Sequence, residues 1–174
     1  MRLRLWIGCY FLCSFALHSL AETSTDLAQK GESALAAHDA ATAMQSFDKA
    51  LELDPKNGFA AFDRAKMLLK INEATGAISD FTVAIIADPK NAAAFDGRGE
   101  AKMKLKEPDA KGAFEDFQSG IDAAPDKPEP LLVRASYFVQ VGNLAGAKAD
   151  LEKARTLADG PTADAIAKML ARLK

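Results

Sequence analysis

Ala74-Thr75-Gly76-Ala77-Ile78-Ser79-Asp80-Phe81-Thr82-Val83-Ala84-Ile85-Ile86-Ala87-Asp88-Pro89 is the stretch that decides the fold. Within it Ala77, Phe81 and Ala84 are spaced by four and then three residues, which puts them on one face of a helix. The same triplet precedes two other prolines: Ala43, Phe47 and Ala50 ahead of Pro55, and Ala113, Phe117 and Gly120 ahead of Pro125. A fourth copy reads Ala147, Leu151 and Ala154, with Asp159 in place of the closing proline. Pro55 to Pro89 is 34 residues and Pro89 to Pro125 is 36, so the chain carries an internal repeat.

A second helix precedes each triplet. It carries a small residue at its eighth position (Gly31, Ala65, Gly99, Ala135), and four residues before that come Leu27, Ala61, Phe95 and Leu131. Turn signals separate the two helices: His38-Asp39, Asn72-Glu73, Lys106-Glu107-Pro108 and Gly142-Asn143. The expected architecture is all-α: four helix hairpins over residues 24–57, 58–91, 92–127 and 128–161. One more amphipathic helix over 162–173, with Ile166, Met169, Leu170 and Leu173 inward, caps the open end. Pro108 is expected to open the second helix of the third hairpin, because proline is tolerated in a first turn.

With small residues at positions 8, 20 and 27, an aromatic at 24 and a proline at 32, the repeat resembles the tetratricopeptide repeat (TPR). The resemblance covers nearly all of 22–174 and implies an α-solenoid of stacked antiparallel hairpins. Departures are Ala61 where a large residue is usual, two extra residues in the third hairpin's turn, and Asp159 in the fourth unit.

Residues 1–21 read as a secretory signal: Arg2 and Arg4, an apolar run from Leu5 to Leu17, then Ser19-Leu20-Ala21 as a cleavage site before Glu22. The competing reading is an uncleaved anchor, although the run is short for a membrane span of about 20 apolar residues. Cleavage removes Cys9 and Cys13, which takes away every thiol, and leaves 20 basic against 24 acidic residues. The expected location is the bacterial periplasm or the secreted space, with no membrane span after cleavage. An acidic balance is a poor match for nucleic acid.

Chemistry is not expected. His38, in a turn, is the only histidine after residue 21. Without Cys there is no His/Cys metal set, and neither a nucleophile elbow nor a phosphate loop is present. The reading is therefore no enzyme, no cofactor and no metal. It is a protein–protein interaction scaffold for a peptide or partner protein, with a self-associating structural protein (a homo-oligomer) or a membrane-tethered scaffold as alternatives.

The TPR resemblance implies that first helices line a concave groove through positions 2, 5, 9, 12 and 13. On this chain that selects Glu32 and Leu35; Phe59, Phe62, Lys66, Leu69 and Lys70; Asp96, Glu100, Met103 and Lys104; and Glu129, Leu132, Ser136, Val139 and Gln140. Phe59, Phe62, Leu69, Met103, Leu132 and Val139 have no duty in the core pattern, so they are candidate anchors, although Phe62 is open to a reading in which it packs between repeats. The Lys/Asn/Arg clamp by which some relatives hold a carboxylate is not evident, with Ala28 and Glu32 at its first places.

Arg64, Arg98 and Arg134 share the seventh position, and Asp80, Asp116 and Asp150 each precede the position-24 anchor. The first unit lacks both partners, having Lys30 and Ser46. The pairing predicts ion pairs bracing the two helices of a hairpin; the other reading is an arginine ladder facing a ligand.

Overall fold

The computed structural model describes residues 22–173. The candidate signal over 1–21 lies outside the described residues. Those described form helices joined by short turns, in two compact units divided between Pro55 and Lys56.

The first unit is one hairpin, α1 (Ser24–Ala36) and α2 (Ala40–Leu53). Thr23 caps α1 in a capping box with Asp26, the threonine hydroxyl accepting from the Asp26 amide at 3.1 Å. Phe47 is fully buried and lies against Gly31, where a Cβ would stand 2.5 Å from its ring. Position 8 is therefore small because the position-24 ring occupies that space. The Ser24 hydroxyl donates to the Ala50 carbonyl at 2.8 Å, tying the start of one helix to the end of the other.

The second unit holds three hairpins and a last helix: α3 (Gly58–Lys70) with α4 (Ala74–Ala87), α5 (Ala92–Met103) with α6 (Ala110–Ala123), α7 (Glu129–Gln140) with α8 (Leu144–Leu157), then α9 (Gly160–Arg172). Short polar side chains start most of them. Asn57, Asn91, Asp109 and Asn143 each accept from the amide three residues on, at 2.9–3.1 Å. Each second helix packs on the next first helix, and the first helices α3, α5 and α7 touch in series.

Pro108 does not open α6. The helix starts at Ala110 with Asp109 as its cap, and Pro108 precedes the cap, where its missing N–H costs no helical bond. At three other hairpin turns the chain passes through left-handed conformation, at His38 (φ 59), Asn72 (φ 61) and Gly142 (φ 79). Closure is the same each time: the next amide donates to the carbonyl five residues back, Asp39 to Ala34, Glu73 to Leu68 and Asn143 to Phe138.

The core of this unit follows the repeated triplets. Phe81 and Phe117 are buried, as are the small residues beside them. Ile166 of α9 is buried against Ile121, Leu131 and Leu151, with Leu170 and Leu173 packed alongside. Met169, expected inward, is instead 48% exposed. Ile166, Leu170 and Leu173 make a narrow stripe at four- and three-residue spacing, and Met169 falls beside it.

The arginines and aspartates do pair. Arg64 Nε and Nη2 donate to Asp80 at 2.7 and 2.8 Å, Arg98 to Asp116 at 3.0 and 2.6 Å, and Arg134 to Asp150 at 2.8 and 2.7 Å. The third nitrogen reaches the preceding hairpin, from Arg98 to Thr82 Oγ1 at 3.3 Å and from Arg134 to Gln118 Oε1 at 2.5 Å. The planar fork of arginine serves both contacts at once, which the point charge of lysine does not.

Candidate functional site

The helical period carries the selected positions of α3, α5 and α7 to one side of the second unit. On α3, Phe59 is 46% exposed. Phe62 is half-buried, its ring edge-on to Phe81 at 5.9 Å between centroids, and Leu69 packs on the same core cluster. Lys66 lies over the Phe62 ring at 5.1 Å and pairs with Asp63 at 2.9 Å, while Lys70 is exposed. Phe62 thus packs against the second helix of its own hairpin. In the first unit Glu32 is exposed and Leu35 half-buried.

On α5, Glu100 and Lys104 are exposed, Met103 is half-buried and Asp96 is buried at 7% exposure. Lys104 Nζ donates to the Leu69 carbonyl at 3.3 Å and to Asn72 Oδ1 at 3.4 Å, at the C-terminal end of α3. On α7, Leu132 joins the apolar cluster around Leu131, and Glu129, Ser136, Val139 and Gln140 are exposed.

A cleft of about 280 Å³ opens between α5 and α7. Glu100, Met103 and Lys104 form one wall, Val133, Ser136, Tyr137 and Gln140 the other, and Phe117 of α6 contributes from its own helix. Of the candidate residues the cleft brings together Glu100 and Met103, with Lys104, Ser136 and Gln140 from the wider set. Phe59, Phe62, Lys66, Leu69, Lys70, Asp96, Leu132 and Val139 are not among its walls.

The residues that sequence reasoning missed are Val133, Tyr137 and Phe117. Tyr137 packs on Phe117 at 5.2 Å and on Phe138 at 5.8 Å, and its hydroxyl donates to the Ala110 carbonyl at 3.2 Å. Adjacent aromatics at 137 and 138, outside the core positions of the repeat, were the available signal.

Asp96 has an unusual setting. Its Oδ1 is buried without a hydrogen-bond partner among the described residues. Burial, reinforced by the negative charge of Glu100, pushes its carboxyl up to about 7. Gly120 makes the room: a Cβ there would stand 2.6 Å from Oδ1. Glu100 is also raised, by partial burial that Lys104 opposes, although its side chain keeps contact with water.

Among the described residues no cluster of His, Cys, Asp and Glu is placed to hold a metal, and no helix is long and apolar enough to cross a membrane. His38 is exposed in its turn. The hydroxyls of Ser33, Ser46 and Ser119 donate to carbonyls one helical turn back rather than to a base. The cleft presents an apolar floor, the carboxylate of Glu100, the Lys104 side chain and neutral polar groups.

No protein-family model and no curated protein matches the chain. Solved structures do. MamA from Desulfovibrio magneticus RS-1 is similar at TM-score 0.70 and 23% identity, over 85% of this chain and 82% of that one. A thermophilic TPR protein of Thermus thermophilus is similar at 0.68 and 21%, over 87% and 81%. The first TPR of Spaghetti, bound to the HSP90 peptide SRMEEVD, is similar at 0.61 and 19%, over 69% and 94%. At these identities the likeness establishes the fold: all-α, built of TPR-type helix hairpins.

Proposed function

We propose that this chain is a non-enzymatic scaffold of the cell envelope that holds a peptide or a segment of a partner protein against its first helices. The observation that carries the reading is the α5–α7 cleft, where an apolar floor of Met103, Val133 and Phe117 is rimmed by Glu100, Ser136 and Gln140. Such a cleft sets apolar surface beside polar groups that can orient a ligand. The peptide-bound TPR of Spaghetti supports it by analogy of fold.

Export is part of the proposal and rests on Arg2, Arg4, the apolar run that follows and the small residues before Glu22. N-terminal sequencing of the protein from its native host tests that part. Glu22 as the first residue supports export with cleavage, and Met1 retained on a membrane-bound protein favours the tethered alternative.

The binding reading is tested by photocrosslinking in the host. A benzophenone amino acid is placed at Ser136 or Gln140 in the cleft, and at Lys111 on the exposed side of α6 as control. A discrete adduct from the cleft positions alone is the expected result. Equal adducts at all three positions, or none, would overturn the reading.

A further inference from the structure

The charges around the α5–α7 cleft say what kind of segment suits it. Glu100 makes no ion pair or hydrogen bond among the described residues, so its carboxylate lines the cleft with no cation at contact distance. Lys104, the cation on the same wall, has its ammonium drawn to the end of α3, where it donates to Leu69 and Asn72. On the opposite wall Ser136 and Gln140 are neutral. One turn back along α5, Asp96 is buried outside the cleft walls, with one oxygen unpaired.

A carboxylate beside an apolar wall is partly dehydrated, which penalises its charge until a cation approaches. The upward shift of Glu100 has that cause. An acidic segment would set a second negative charge against the Glu100 carboxylate, whereas a basic one would give it a counter-ion at contact distance. Met103, Val133 and Tyr137 leave an apolar surface beside the carboxylate for a hydrophobic neighbour of that cation.

We infer that the cleft takes a partner segment in which a lysine or arginine stands beside an apolar side chain, the cation meeting Glu100 and the apolar group resting on Met103, Val133 and Tyr137. The inference rests on the proposal that the cleft is the partner-binding site. It makes the preference opposite in sign to that for an acidic peptide such as SRMEEVD, to which the first TPR of Spaghetti is bound.

The test pans a phage-displayed library of random linear peptides on the full chain. Synthetic copies of the selected peptides are then measured by fluorescence anisotropy against native protein, Glu100→Gln, Ser136→Trp and a surface control, Glu115→Gln. Circular dichroism verifies that every variant keeps its helicity. The expected result is enrichment of Lys or Arg next to an apolar residue, with Kd about tenfold weaker for Glu100→Gln, the scale of one charge-assisted hydrogen bond. Ser136→Trp, which fills the cleft, abolishes binding, and Glu115→Gln leaves it intact. Peptides blocked by Ser136→Trp but lacking a cation, or indifferent to Glu100→Gln, overturn the inference and leave the cleft as the binding site. If no peptide responds to Ser136→Trp, both readings fall.

Discussion

Arg98 and Asp116 form a two-point ion pair, at 3.0 and 2.6 Å, that joins α5 to α6, and Lys102 adds a third contact to the same carboxylate at 2.8 Å. Asp116 is buried, so removing it strands two cations in a poorly hydrated site. Asp116→Ala is expected to cost about 3 kcal/mol in urea denaturation. Arg98→Ala together with Asp116→Ala is expected to cost clearly less than the sum of the single changes, because each single change already breaks the pair. Additive losses would mean that the brace contributes little.

Asp96 gives the protein a pH dependence of definite sign. A carboxyl raised to about 7 in the folded state stays protonated while its unfolded counterpart ionises near its ordinary value of 3.8. Folding then binds an extra proton, so this group lowers stability progressively from about pH 4 to pH 7 and no further above that. The Asp96→Asn variant is expected to lack that decline. Urea melts of both proteins at pH 4, 5.5, 7 and 8 provide the comparison, and parallel curves would show that Asp96 titrates normally.

Gly97 lies where a Cβ would press into the ring of Phe81 on the preceding hairpin. In an isolated helix Gly→Ala gains about 1 kcal/mol. Here the buried ring has nowhere to go, and Gly97→Ala is expected to destabilise by about 1–3 kcal/mol, the range for overpacking a core. A stabilised variant would mean that the ring relaxes freely.

His38 occupies a left-handed position, φ 59, that costs a residue with a Cβ energy that glycine does not incur. His38→Gly is expected to raise stability by about 0.5–1 kcal/mol, and Gly142→Ala, at φ 79, to lower it by a similar amount. Thermal melts of the two variants beside the native chain decide the matter.

Much of the fold is legible in the chain itself. Helix hairpins follow from the triplets around Phe47, Phe81 and Phe117, because the helical period and its recurrence are local properties that need no knowledge of distant contacts. The Arg–Asp braces are legible for a related reason. Both partners appear in three units and both are missing from the first, so their association shows within one sequence. The candidate site is less legible. Family positions pointed to Glu100, Met103, Lys104, Ser136 and Gln140, which do line a common cleft, but they gave equal weight to Phe62 and Leu69, which pack on the core, and they passed over Tyr137 and Val133.

What the amino-acid order determined alone is therefore the helical secondary structure, the repeat unit and the ion pairs inside the second, third and fourth hairpins. Tertiary structure decided which apolar residues are already covered, as Phe62 is by Phe81, and which carboxylate is buried, as Asp96 is beside Gly120. It also decided where two first helices part to leave a cleft. These outcomes depend on how closely helices distant in sequence approach one another. That distance is set by steric fit across the interface, as between Phe81 and Gly97, and no periodicity within a single helix encodes it.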